Sequence, residues 1–463
     1  MFVNTLLNTS TTTNLTAAII HVYPSGKPQN QKPRRQHQIE FPLNCTAGNL
    51  TRECPANYYP ENFIPSQDDD EDRTPPATCP DYFRWIHEDL RPWKETGITE
   101  EMVERARKRA HFTLVIHEGR IYMRSYRRAP HRRDIYTQWS FMQLLRRYPG
   151  KIPDLELMFN WADLPFVRSA DYSGPNATAP PPIFGYDGDD ETLDLVFPDW
   201  AFWGWPDKNI MPWEGILQDM KEKEKRWMDK EPHAHWKGDP VSHFARKALM
   251  RCNVSDKQDW GARVYKQVLR FFYMYKIYVE GHAWSVSEKY ILACNSVAIL
   301  VKPRYYDFFT RGLMPMQHYW PMHVEDLCRS IKFAVEWGNS HEQEAQAIGK
   351  AGSDFIREQV TMDNVYDYMF HLLNEYAKLM RYKPVKPERM IQLCSETFAC
   401  PATGAQRKFM MESLVKGPRV ASPCSLPPPY DPLALRTLLE TKANSVSQVE
   451  LSERRYWEDA TKT

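Results

Sequence analysis

The chain has 463 residues and a mass of 54.5 kDa, with 60 basic against 59 acidic residues and a formal net charge of +1; this balance argues against a nucleic-acid or polybasic membrane-surface protein, whose footprint is a basic excess. Its apolar and charged shares, 42% and 26%, are those of an ordinary globular protein, and no window approaches the roughly 18 apolar residues of a membrane-spanning helix, so the chain reads as soluble. The length allows two to three domains, and 36 Pro against 19 Gly, with 15 Trp, describe an aromatic-rich chain with rigid connections.

Residues 1–78 are polar, Pro-rich and carry the acidic run 68–72, the composition of a disordered stem. Ordered structure is expected to begin at Cys79-Pro80-Asp81-Tyr82-Phe83. Segments 112–116 and 120–123 flank Glu118-Gly119 as a hairpin. Trp139, Met142 and Leu145 then recur at helical spacing, and Leu155, Leu157 and Phe159 alternate as a strand that ends in Asn160-Trp161-Ala162-Asp163. A Pro-rich connector, 174–183, precedes an apolar strand at 193–197. Further on, 275–279 reads as a strand, Gly281 as a turn, 285–295 as a helix and 297–301 as a buried strand. Ser285-Val286-Ser287-Glu288 has the pattern of a capping box. Two amphipathic helices follow, one through Leu327, Ile331 and Ala334, the other through Val365, Met369, Leu372, Tyr376 and Leu379. Strands alternating with helices predict an α/β fold with a parallel sheet. From about residue 384 to 463 the chain is again Pro-rich and Cys-bearing, and it ends in a polar helical tail.

Nine cysteines are present, without a CxxC pair or a histidine spacing that would complete a zinc site. Six of them (45, 54, 79, 394, 400 and 424) stand in Pro-rich or polar stretches where a reduced thiol is hard to shelter. Glycosylation acceptors occur at Asn8, Asn14, Asn44, Asn49, Asn176 and Asn253, four of them before residue 52. Together these predict the lumen of the secretory pathway, with disulfides and, the count being odd, one cysteine without an internal partner. Residues 1–22 lack the basic start and apolar core of a signal peptide, so a lumenal protein of this sequence implies a membrane anchor upstream of it. Residues 459–463 are not an ER-retrieval tetrapeptide.

There is no GxSxG elbow, HExxH, Walker loop or GxGxxG, so hydrolase, zinc-protease, P-loop and dinucleotide readings lose their usual support. Four features could carry chemistry, each beside a purely structural explanation. The strand–Gly–helix segment 275–295 would set Gly281, Ser285, Ser287 and Lys289 beyond a strand's carboxyl end, where helix-terminal amides bind phosphate; many α/β helices start this way for packing alone. Asp163, at the end of FNWAD, could be a general base or start the turn before Leu164-Pro165. The aromatic run 197–207, with Trp200 and Trp203, could face a sugar or be ordinary core. HWKGDPVSHFAR offers Lys237, Gly238 and Arg246 to a diphosphate, or simply exposes cations. Asp187-Gly188-Asp189 imitates a metal-holding Asp-x-Asp, but it lies in a polar turn and is not assigned to metal. His233 and His235 lack a third ligand, and the basic stretches 106–111 and 127–133 read as solvated faces or acceptor contacts.

In combination and in this order, FNWADLP, FPDWAFWGWPD, WKGDP with Arg246, YKIYVEGHAWSVSEKYILAC and YYDFFTRGLMPMQHYWPM resemble the Rumi-type protein O-glucosyltransferase family, which shares its domain with fungal capsule-associated xylosyltransferases. The resemblance runs from about Cys79 to Tyr382, and plant-like members continue it through the Cys394–Cys424 tail. It implies a GT-B architecture, two Rossmann-like domains facing across a cleft, behind the stem. The glycosyltransferase domain would span 79–382, with the lobe boundary near 200–240 and an extension over 383–463. It implies a UDP-sugar donor (glucose or xylose), an inverting reaction without metal, and transfer to serine of epidermal-growth-factor-like domains in Golgi or endoplasmic reticulum. Asp163 matches the catalytic Asp; Lys237, Gly238 and Arg246 fall in a donor-binding stretch; and Gly281, Ala283 and 285–289 match the segment that holds UDP. Trp200 and Trp203 are acceptor or sugar contacts on the same reading.

Two departures stand out. Residues 264–274 form a shorter connection than the family's, without its cysteine before the YKY-like strand, which would leave Cys294 unpaired. Ser287 also replaces the arginine of Rumi members in the UDP loop. The leading expectation is an O-glycosyltransferase; the others are a polysaccharide xylosyltransferase of the same family and a non-catalytic sugar or protein binder produced by the shortened segment.

Overall fold

The computed structural model describes residues 39–45, 54–55, 76–174, 177–266 and 273–462. Short helical turns open the ordered chain: a 3-10 turn at Asp81–Arg84, then α1 (Trp85–Asp89), both buried on their aromatic side. In α2 (Glu100–Arg107), Thr99 Oγ1 accepts a hydrogen bond from Met102 N at 3.3 Å and so caps the first turn. β1 (Phe112–His117) and β2 (Arg120–Ser125) pair antiparallel. Glu118 and Gly119 between them have φ of 49° and 72°, the left-handed pair whose twist matches the flanking strands. Then come α3 (Arg133–Arg147), β3 (Leu155–Phe159), β4 (Phe184–Gly185) and β5 (Leu195–Val196), followed by α4 (Trp213–Glu222), β6 (Glu231–Lys237), α5 (Phe244–Leu249), β7 (Ala262–Tyr265), β8 (Tyr273–Tyr278), α6 (Ser287–Leu292), β9 (Val297–Val301) and β10 (Trp320–Met322). The chain finishes with α7 (Leu327–Ser340), α8 (Glu342–Asp354), a π-helical turn at Phe355–Gln359, α9 (Met362–Leu379), β11 (Ile391–Leu393), α10 (Ser395–Ala399), α11 (Gly404–Glu412) and the 29-residue α12 (Pro432–Ala460).

The strands form two sheets in an α/β fold. The first has the order β11-β2-β1-β3-β4-β5, antiparallel from β11 to β3 and parallel from β3 to β5. The second, β10-β9-β8-β6-β7, is parallel throughout. Parallel sheets are covered on both faces, and β9 shows it: Val297, Ile299 and Val301 enter one apolar core while Ala298 and Leu300 enter the other. Helix α7 covers the outer core with Leu327, Ile331, Ala334 and Val335. Helix α9 returns to the first sheet, burying Val365, Met369, Leu372 and Tyr376. Helix α12 touches both cores, with Leu435 and Leu438 on one and Val449 in the other. No helix among the described residues is long and apolar enough to cross a membrane.

Most strongly periodic segments fold as the sequence indicates: the hairpin, α3, β3, β8, β9, α7 and α9 are where their apolar spacing puts them. Three expectations change. The segment 193–197 pairs only over Leu195–Val196. Ser285-Val286-Ser287-Glu288 is no capping box: Val286 is the N-cap without a side-chain bond, and Ser285 Oγ pairs with Ser287 Oγ at 2.9 Å. Glu288 instead turns inward and accepts from Thr310 Oγ1 at 3.3 Å, because its face of α6 is buried. Finally, the arm 1–78 is not free along its length. Phe41 is buried, its N–H donates to Lys416 O at 2.6 Å, and Arg146 donates to its carbonyl. The acidic run 68–72 and the acceptors Asn8, Asn14, Asn49 and Asn176 lie outside the described residues.

Four disulfides join Cys45 to Cys400, Cys54 to Cys394, Cys79 to Cys424 and Cys252 to Cys328, leaving Cys294 as the free thiol. The first three fasten the N-terminal arm to the C-terminal extension across 340–355 residues of chain. A loop of that length stabilises by about 6 kcal/mol in a chain-entropy model, though nested loops do not add. Residues 266–272 link β7 to β8, and 267–272 are outside the described residues.

A candidate active site where strand ends converge

In the second sheet the chain starts at β6, moves outward to β7, then crosses back to β8, β9 and β10. The order therefore reverses between β6 and β8. At such a switch point the loops beyond the two strands part in opposite directions and leave a crevice outside their carboxyl ends. Lys237 ends β6 and is exposed; Val279-Glu280-Gly281 follow β8. Arg246, on α5, ties the two sides together: its Nε and Nη2 donate to Val279 O at 3.2 and 2.8 Å, and its Nη1 donates to Ser242 Oγ at 3.0 Å. A Cβ on Gly281 would lie 3.6 Å from Arg246 Nη2, an ordinary contact, so the chain itself does not demand glycine there. Gly238 differs, since a Cβ would come within 2.7 Å of the Trp236 ring. Ala283 is buried, and the Ser285 N–H donates to Tyr278 Oη at 3.0 Å.

The opposite wall comes from the first sheet. After β3, Asn160 turns the chain: its Oδ1 accepts from Ala162 N at 2.8 Å and its Nδ2 donates to Arg109 O at 3.0 Å. His111 stacks on Trp161 at 3.9 Å between centroids. This turn delivers Asp163, whose side chain is 34% exposed, to Arg133, 14% exposed, and Arg133 Nη1 donates to Asp163 Oδ1. The guanidinium lies 4.5 Å over the Trp200 ring and 5.8 Å from that of Trp205. Trp200 in turn touches Tyr186 (4.8 Å) and Trp284 (6.0 Å). Through Trp284, the residue before Ser285, Asp163 is connected to the segment beyond β8. The residues just before Arg133, His131 and Arg132, both have φ of 56°, a backbone state that non-glycine residues adopt at some cost and that clusters near functional sites.

The two sheets also meet directly. Beyond β4, Gly188 exchanges backbone hydrogen bonds with Tyr306 at 3.1 and 2.9 Å, beyond β9. Carboxyl ends of β3, β4, β8 and β9 thus gather in one place, with an unusual density of acids. Glu280 is buried, its carboxyl pushed up to about 7 by burial, even though Tyr305 N donates to it at 2.6 Å. Burial likewise raises Asp187, with Asp194, Asp163, Asp307 and Glu280 adding to the effect. Asp194 is pushed to about 6 by burial against the opposing bonds from Val167 and Phe166 N–H.

The sequence-selected residues do not all join this site. Lys289 is buried inside the fold, its Nζ 2.6 Å from Asp199 Oδ2 and 4.5 Å over the Phe202 ring. Trp203 is core, its Nε1 donating to Tyr366 Oη at 2.8 Å. Trp200 is at the site but presents its face to Arg133, leaving no flat platform. Asp189 binds Arg304 Nε at 2.9 Å and is thereby separated in role from Asp187. His235 stacks on Tyr273 at 4.5 Å, and burial lowers its imidazole to about 3. Among the described residues, the one grouping with metal-ligand proximity is Cys79, His371 and Cys424, whose cysteines are disulfide-bonded to each other. Arg133, Glu280 and Trp284 were not singled out from sequence. Arg133 stood within the basic stretch 127–133, and Glu280 and Trp284 within the strand–Gly–helix segment 275–295, so the signal was regional.

Residues 74–453 match the family model of glycosyl transferase family 90. Among curated proteins, an O-glucosyltransferase rumi homolog of Anopheles gambiae is 26% identical over 333 residues, 66% of this chain and 80% of that protein. Protein O-glucosyltransferase 1 of Homo sapiens is 25% identical over 333 residues, 66% of this chain and 81% of that protein. O-glucosyltransferase rumi of Drosophila melanogaster is 26% identical over 357 residues, 71% of this chain and 82% of that protein. The family match runs through both sheets and most of α12, and so takes in both walls of the crevice: the chain belongs to glycosyl transferase family 90 and is a glycosyltransferase of the Rumi type.

Proposed function

We propose that this protein moves glucose or xylose from a UDP-sugar to a hydroxyl group, as a protein O-glycosyltransferase working by inversion. The observation that supports the reading is the run of contacts from Asp163 through Arg133 and Trp200 to Trp284, in the segment that follows β8 at the β6/β8 switch point. The arrangement suits a GT-B enzyme, with each sheet the centre of one lobe. In the proposed reaction the acceptor hydroxyl loses its proton to Asp163 as its oxygen bonds to the anomeric carbon. The bond from that carbon to the UDP oxygen breaks, and the leaving diphosphate carries off the electron pair. Arg133 fixes the orientation of the carboxylate. Lys237, Arg246 and the backbone amides after Gly281 are assigned to the diphosphate, where cations and preorganised N–H groups offset developing charge without requiring a metal. Lys289 supports that segment from beneath and does not touch the donor.

The acceptor is proposed to be a serine of an epidermal-growth-factor-like domain, by analogy with the Rumi-type family. Four disulfides and the exposed acceptor Asn44 favour the secretory lumen, Golgi or endoplasmic reticulum. The short β7–β8 link favours a second reading, a donor-binding but non-catalytic relative.

Transfer and donor hydrolysis with UDP-glucose and UDP-xylose, comparing the wild type with Asp163→Asn, test both. Loss of a general base costs about 10²–10⁴-fold in turnover, so the variant is expected to fall by that factor while still binding UDP. Equal turnover by both proteins removes Asp163 from the role. A folded wild type that binds donor and never turns it over establishes the second reading.

A further inference from the structure

The chain as a whole is balanced, 60 basic against 59 acidic residues, but the segment from Lys108 to Arg133 holds eight Lys and Arg and a single acid, Glu118. Lys108, Arg109, Arg127 and Arg128 are exposed, and among the described residues none of the four forms an ion pair. The fold brings two of them to the turn that carries Asp163. Asn160 Nδ2 donates to the carbonyl of Arg109, whose guanidinium lies 6.0 Å from the Phe166 ring. The N–H of Arg127 donates to His111 O at 3.2 Å, and its carbonyl accepts from Trp161 Nε1 at 3.4 Å. The Arg127 charge reaches the same place: burial lowers the His111 imidazole to about 4, and Arg127 adds to the effect. Among these cations Leu164 and Phe166, one and three residues after Asp163, keep 38% and 37% of their surface exposed.

Like charges gathered on one surface repel, and without internal partners they add nothing to the fold; in a chain of nearly zero net charge they mark a face built for a complementary one. The donor diphosphate is already assigned to Lys237, Arg246 and the amides after Gly281, on the second sheet. We infer that the surface around Asp163 docks an acidic acceptor protein, whose carboxylates beside the reactive hydroxyl meet Arg109, Arg127 and Arg128 while an apolar side chain meets Leu164 and Phe166. This rests on the transferase reading above and adds the chemistry of its acceptor. A protein surface supplies carboxylates and apolar side chains together, which is the mixture this face matches. Exposed charge pairs speed encounter and fix orientation more than they tighten binding, and so suit a partner that must leave once it is modified.

Fluorescence-anisotropy Kd values test the inference, with three forms of one serine-bearing epidermal-growth-factor-like domain as probes. The forms are identical except that the surface positions beside the serine are Asp, Asn or Lys. At low salt the full chain is expected to bind the Asp form about 10-fold more tightly than the Asn form, the sum of a few exposed charge pairs, and the Lys form most weakly. The spread is expected to collapse in about 1 M NaCl, where screening acts within roughly 3 Å. The double variant Arg127→Glu/Arg128→Glu is expected to reverse the order, a result that a fold defect does not produce; Lys108→Glu/Arg109→Glu repeats the test on the neighbouring pair. Equal Kd values for the three domains, no binding of any, or an order unchanged in both variants overturns the inference. An oligogalacturonate that binds more tightly than the Asp form overturns the choice of a protein in favour of an acidic glycan. Donor turnover with charge-indifferent binding takes down this inference alone, whereas charge-ordered binding by a chain that turns over no donor keeps the acidic partner and takes down the transferase reading.

Discussion

Two carboxylate–cation pairs sit on either side of the Trp200 turn and lead different lives. Asp163–Arg133 keeps 34% and 14% of its side-chain surface exposed. Asp199–Lys289 keeps none and 1%, under the same aromatic cluster. Asp199 is fully used: Oδ1 accepts from Ala201 N at 2.7 Å and Oδ2 from Lys289. From sequence one member of each pair, Asp163 and Lys289, was a candidate for chemistry, Lys289 as part of the matched UDP segment. Burial divides them. A group that meets solvent can meet a substrate, while a buried ion pair is part of the architecture, and removing one member leaves a charge with no water to stabilise it.

Substitutions sharpen that contrast. Asp163→Asn, expected to cost up to about 10⁴-fold in turnover, is expected to shift the denaturation midpoint by less than about 1 kcal/mol equivalent, because an exposed pair contributes that little. Lys289→Met is the converse. It strands Asp199 beside Asp307, whose carboxyl burial and the Asp199 charge already raise, and is expected to cost about 3–5 kcal/mol in denaturant unfolding. If Lys289→Met instead folds normally and loses UDP affinity, the lysine belongs to the site and the division fails.

A smaller effect concerns pH. Glu288, next to Lys289 and facing Thr310, is pushed by burial to about 8. In the range from its ordinary value near 4.5 up to about 8, the folded chain holds a proton there that the unfolded chain has released, so its contribution to stability is full below that range and is lost as pH rises through it. Glu288→Gln is expected to flatten the fall in stability between pH 5.5 and 8.5 by roughly 1–2 kcal/mol in urea titrations; an unchanged slope removes Glu288 as the cause. Smallest of all, Cys294→Ser is expected to change stability by less than about 0.5 kcal/mol. A thiol titration of denatured, unreduced protein should count one thiol, against nine after reduction. Three or more before reduction contradicts the disulfide set.

Legibility followed periodicity. Strand β9 was evident as a continuous apolar run and helix α9 from its helical spacing, while β6 was not read as an element, its histidines, Lys237 and nearby Gly and Pro masking a strand that neighbours on both sides make central. The unpaired Cys294 was foreseeable from the odd count and the missing family cysteine. Which of the other eight pair could not be, since connectivity depends on bringing residue 45 to residue 400. Glu288 misled as a capping acid for a related reason: the local pattern is satisfied, but its face of α6 is covered by the 307–310 turn.

The order of residues was enough to establish an α/β chain, an odd set of cysteines suited to disulfides, its resemblance to Rumi-type enzymes and a short set of acids and cations worth testing, because these depend on spacing and composition along one dimension. Which of those groups meet was decided by tertiary structure: the reversal of strand order at β6 and β8, the junction of β4 with β9, and the burial that encloses Lys289 and Trp203 while leaving Asp163 partly exposed. Burial and long-range juxtaposition arise when distant segments pack, and no local pattern encodes them.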